Sequence, residues 1–111
     1  MQVIFESRHA GGAEHREAAI ERLRFTTRRL AWLISSARLQ LSDINGPRGG
    51  TDKQCQIELK TSTGTVLISS LATDWRSALD RALQRAIRVL VRSLQRQRRH
   101  DRSGQVTATS L

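Results

Sequence analysis

One segment narrows the folds open to this chain more than any other. From Asp74 to about Arg99, Leu79, Leu83, Ala86, Leu90 and Leu94 recur at spacings of three and four, so on a helix they share one sector. Arg81, Arg85, Arg88, Arg92, Arg96 and Arg99 fall on the opposite side. Asp74 stands where an N-cap is needed, with a short side-chain acceptor for the first free amides. A long helix with one aliphatic stripe is stable only against another apolar surface, so the remaining residues must supply one.

They supply it as strands. Gln2 to Glu6 is a short β-rich run with Val3 and Phe5 on one side. After Gly11-Gly12, residues Glu14 to Leu30 predict a helix, with Glu14, Glu17 and Glu21 gathered early and Ile20, Leu23, Thr27 and Leu30 as its apolar stripe. Arg16, Arg22, Arg24, Arg28 and Arg29 lie off that stripe or at its edge. Period two takes over from Ile34 to Asp43, where Ala37, Leu39 and Leu41 alternate with Arg38, Gln40 and Ser42. Asn45 to Gly50 predicts a loop. Gln54 to Lys60 alternates again, and Thr63-Gly64 turns the chain into Thr65 to Leu71, which predicts a hairpin. The order is β-α-β-β-β-α. The expected fold is therefore α+β, an antiparallel-rich four-stranded sheet with two helices packed on one face. Residues 1–100 form one domain in this reading, and the small, polar residues 101–111 a disordered tail.

Charge says what such a domain meets. Nineteen Lys and Arg face ten Asp and Glu, a net charge of +9, and seventeen of the nineteen are Arg. Guanidinium suits bidentate phosphate contacts better than a point-charge ammonium does, so a nucleic acid leads the candidate partners. From Asp74 to Arg102 the chain carries nine Arg, three Asp and no Glu, so two-thirds of the net charge sits on the last helix. A merely solvated face interleaves both signs, because like charges at i,i+4 destabilise a helix by a few tenths of a kcal/mol per pair. This ridge repels itself, which favours an external anion.

Other classes are disfavoured. Cys55 is alone, alternates with Ile57 and Leu59, and reads as a small core residue, consistent with a reducing compartment. No Cys and His cluster has zinc-like spacing, and no metal or cofactor is expected. His9, His15 and His100 are scattered without a partnering acid, so no catalytic constellation is visible and no enzyme is expected. No apolar run approaches the ~20 residues that span a bilayer, the longest being Leu30 to Ile34. The four aromatics Phe5, Phe25, Trp32 and Trp75 show no sheet-face stacking platform, which leaves recognition by backbone and shape.

On these residues the sequence resembles the bacterial ribosome hibernation-promoting factors and ribosome-associated inhibitor A proteins, over residues 1 to about 100. The resemblance rests on Ser7-Arg8-His9 closing the first strand, Arg16-Glu17 and Glu21-Arg22-Leu23 in the first helix, and Asp74-Trp75-Arg76-Ser77-Ala78-Leu79-Asp80 opening the last. The resemblance implies a cytoplasmic translation inhibitor that lies on the small ribosomal subunit. There it covers the sites of messenger RNA and transfer RNA anticodons and catalyses nothing. It matches Arg85, Arg88 and Arg92 best as contacts to rRNA, then Arg22 and Arg8; Arg81, Arg96 and Arg99 are added from the helical wheel. Gly11-Gly12 stands where relatives carry a hydroxyl cap, Arg76 where an aromatic is common, and the 45–50 loop is longer than in short relatives. The chain ends before the further C-terminal dimerisation domain of long forms, and a monomer off the ribosome is expected. The alternative from the residues alone is a general structured-RNA-binding module. Lower-ranked rivals are an RNA-processing enzyme using the histidines and a subunit docking an acidic protein.

Overall fold

Four runs alternate apolar and polar residues, and in the computed structural model each is a strand: β1 (Gln2–Ser7), β2 (Ile34–Asp43), β3 (Lys53–Thr61) and β4 (Gly64–Ala72). The described residues are 1–8, 10–44 and 51–109, with side chains described for all of these except 10 and 97–109. Sheet order is β1-β2-β3-β4, with β1 parallel to β2 and the other pairs antiparallel. The register places Val3, Ala37, Leu59 and Val66 in one cross-strand row and Phe5, Leu39, Ile57 and Ile68 in the next. Ile4, Leu67 and Leu71 fall on the other side of the sheet, and these rows share one face. Gly64, at φ +137°, closes the β3–β4 hairpin in a conformation that side chains resist.

Three helices cover that face: α1 (Ala10–Ala13), α2 (Arg16–Thr27) and α3 (Trp75–Thr109). Ala19 and Leu23 of α2 and Ala78, Leu79, Ala82, Leu83, Ala86 and Leu90 of α3 join the sheet residues in one core. The expected α+β class and element order are those observed. Three boundaries differ. A separate turn, α1, precedes the first predicted helix and carries Gly12 against the sheet, and α2 begins at Arg16 rather than Glu14. A Cβ on Gly12 would run into Ser7 Oγ and come within 3.3 Å of Leu41 Cβ. Further along, α2 stops at Thr27, whose hydroxyl bonds back to the Leu23 carbonyl at 2.7 Å, and a 3-10 turn (Ala31–Leu33) leads into β2. The α2 stripe is accordingly Ala19, Leu23 and Thr27, with Ile20 half-buried and Leu30 beyond the helix.

At the other end, α3 runs to Thr109, beyond the end expected near Arg99. No proline interrupts this stretch, and a single Gly104 costs a helix only about 1 kcal/mol. The loop expected at 45–50 lies outside the described residues. None of the helices among the described residues is long and apolar enough to cross a membrane.

A candidate nucleic-acid interface on the last helix

The cap sets the phase of α3. The Ser77 amide donates to Asp74 Oδ1 at 2.8 Å and its hydroxyl to Oδ2 at 2.9 Å, and these bonds hold the Asp74 carboxyl below its ordinary value. From that start the aliphatic stripe meets β3 and β4, and Arg81, Arg85, Arg88, Arg92 and Arg96 are all exposed on the far side. At 1.5 Å per residue the ridge from Arg81 to Arg96 is roughly 22 Å long. For Arg99 only the backbone is described, one turn further along the helix.

The ridge is not a free-standing row, because two members lean on the sheet. Arg81 Nη1 donates to the Leu71 carbonyl at 3.0 Å and Arg85 Nη1 to the Ser69 carbonyl at 2.9 Å. β4 is an edge strand, and its outward carbonyls would otherwise face only water. One bond each leaves most of the five guanidinium donors available, and it fixes the side chain before any ligand arrives. Arg81, Arg85 and Arg88 thus line, with Ser70, Leu71 and Gln84, a recess of about 210 Å³ between α3 and the sheet edge. Among the described residues no acidic side chain pairs with any arginine of the ridge. Its positive charge stays available to an outside anion.

The other flank of α3 faces α2. There Arg22, expected as a phosphate contact, is ion-paired with Asp80 and ties the two helices together, although nearly half of its side chain stays exposed. Beside that pair is a groove of about 540 Å³ with Ala18, Ala19, Phe25 and Leu79 along it. Phe25 is 66% exposed, and the Arg28 guanidinium lies 4.6 Å from its ring centroid. Sequence reasoning did not place Phe25 at a site, yet on the helical wheel it lies off the Ala19, Leu23, Thr27 stripe. Its exposure could have been read from that offset. Trp32, on the 3-10 turn, is 71% exposed. Arg8 is exposed just beyond β1, at the opposite sheet edge from β4, so the fold does not bring it to the α3 ridge.

Two titratable groups away from the ridge, Lys53 and Cys55, serve structure. Lys53 Nζ sits 2.6 Å from Asp43 Oδ2, 3.4 Å from Asp52 Oδ1 and 5.4 Å from the Trp75 ring centroid, and its pKa is raised chiefly by the Asp43 hydrogen bond. Burial pushes the Cys55 thiol up to about 12, which keeps it protonated. His15 precedes α2 without a side-chain cap bond, and His9 lies outside the described residues. No cluster of His, Cys, Asp or Glu suited to a metal ion occurs among the described residues.

Sheet order, helix placement and a basic terminal helix together define a layered α+β domain of a kind already seen in solved structures. One is a ribosomal subunit interface protein from Coxiella burnetii, at TM-score 0.61 and 16% identity, covering 77% of this chain and 88% of that one. Another is the N-terminal domain of Protein Y from Thermus thermophilus, at TM-score 0.58 and 20% identity, covering 77% of this chain and 90% of that one. The chain shares their fold. No family sequence model matches it, and no curated protein matches it in sequence.

Proposed function

We propose that the protein binds the small ribosomal subunit through rRNA phosphates and, seated over the messenger and transfer RNA sites, holds translation off in the manner of a hibernation factor. The observation that carries this reading is the exposed arginine ridge of α3, unpaired by any described acid and partly pre-set on the β4 edge. A self-repelling row some 22 Å long is unfavourable unless an anion of matching length neutralises it, and an RNA backbone is such an anion. The shared fold with a ribosomal subunit interface protein and with Protein Y supports the choice of the ribosome over other structured RNAs. The reading requires no catalytic step and no cofactor, and it puts the protein in the cytoplasm. Arg85, Arg88 and Arg92 are its principal contacts, flanked by Arg81, Arg96 and Arg99, with Arg22 and Arg8 as outlying ones.

The test is sedimentation of the purified protein with small subunits through a sucrose gradient at low salt, with and without excess messenger and transfer RNA. Co-migration that the added RNAs displace is expected. A protein that stays at the top of the gradient, or binds small subunits unaffected by either RNA, overturns the reading.

A further inference from the structure

The α3 ridge carries the principal phosphate contacts, and the groove on the opposite flank of the same helix takes no part in it. We propose that the groove between α2 and α3 takes one unpaired base of an RNA strand, stacked against Phe25, with an adjoining phosphate held by Arg76. This rests on the protein being an RNA binder, but not on the ribosome being the RNA.

Four observations carry it. First, Phe25 is two-thirds exposed in the last part of α2, where nothing in the core requires an aromatic ring. Second, the ring is already half of a stack, with the Arg28 guanidinium 4.6 Å from its centroid. Third, the ring borders a groove of about 540 Å³ with Leu79 in its lining, within the size range of cavities that enclose a small planar ligand. Fourth, the groove carries one guanidinium that no acid pairs with among the described residues, that of Arg76. Arg76 and Arg22 line the groove with His15, Glu21 is the acid among the lining residues, and Arg22 is engaged by Asp80. That leaves Arg76 to meet a phosphate, with Arg28 on the Phe25 ring. An aromatic face flanked by guanidinium groups is what holds splayed-out bases, because every base has a π-face and carries an anion beside it.

A stack and a phosphate contact respond differently to salt, and the test exploits this. A short single-stranded RNA carrying 2-aminopurine is titrated with protein at several salt concentrations, and the quenching that accompanies stacking is followed. Wild-type protein is expected to quench the probe. Phe25→Ala is expected to weaken binding by about 5- to 140-fold, the range for loss of one base–aromatic stack, with the salt slope unchanged. Phe25→Trp should restore the affinity, and Arg76→Ala should weaken it while lowering the slope by about one. Phe25 is exposed, so a far-ultraviolet circular dichroism spectrum identical to wild type is expected for both Phe25 variants. No quenching by wild-type protein, or equal affinities for wild type and Phe25→Ala, overturns the proposal; the second is also the result if the groove serves a protein segment instead. Failure to sediment with ribosomal subunits, with Phe25-dependent quenching intact, overturns the ribosomal reading alone and upholds this one.

Discussion

Gly12 shows how much a single missing Cβ decides in this protein. It packs so closely on the Ser7 and Leu41 side chains that a methyl group must turn the Ser7 hydroxyl aside and press on Leu41 Cβ at 3.3 Å. Gly12→Ala should therefore cost roughly 1 to 3 kcal/mol by urea denaturation, in the range of overpacked sites. Gly11→Ala is the control: its Cβ would meet only the Trp75 indole nitrogen, at an ordinary 3.5 Å, and stability should change by less than about 0.5 kcal/mol. Cys55 gives a second residue-level expectation. With its thiol pushed up to about 12 by burial, it should resist a thiol reagent at pH 8 in native protein and react at once in denaturant. Rapid labelling of the native protein would contradict the burial described for it.

At the scale of elements, α3 separates folding from binding on its two faces. Leu83 and Leu90 are buried against β3 and β4, so Leu83→Ala or Leu90→Ala should cost about 2 to 5 kcal/mol, read from denaturant midpoints. Replacing Arg85, Arg88 and Arg92 together by Ala should leave those midpoints nearly unchanged while weakening RNA binding and reducing its salt slope by about 2 to 3. An unchanged slope in a folded triple variant would remove the ridge from the interface. This division was readable in advance, since a 3.6-residue period assigns each position its side without reference to the rest of the chain. Local reading failed where a neighbouring element intervenes. The first helix was expected from Glu14 to Leu30, but α2 spans Arg16 to Thr27, and an unexpected turn before it, α1, seats Gly12 on the sheet. Neither boundary is visible without knowing what packs beneath it.

The whole molecule sets the pH range over which its charged contacts help. Asp74, lowered below the ordinary 3.8 by its bonds to Ser77, adds stability that is present above that value and lost as pH falls through its folded pKa. Lys53, raised above 10.5 by Asp43, adds stability that is present below that value and lost as pH rises past it. Between the two these groups contribute no slope, and the melting temperature should drop on the acid side for wild type but less so for Asp74→Ala. The element order, the class and the charge of the last helix followed from the amino-acid sequence alone, because alternation and helical periodicity are properties of a few consecutive residues. Tertiary structure decided what each arginine does. Arg22 meets Asp80 58 residues away, Arg81 and Arg85 reach the carbonyls of an edge strand, and Arg88, Arg92 and Arg96 have no acidic partner among the described residues. Such assignments depend on where distant segments come to rest, and only the folded sheet brings those segments together.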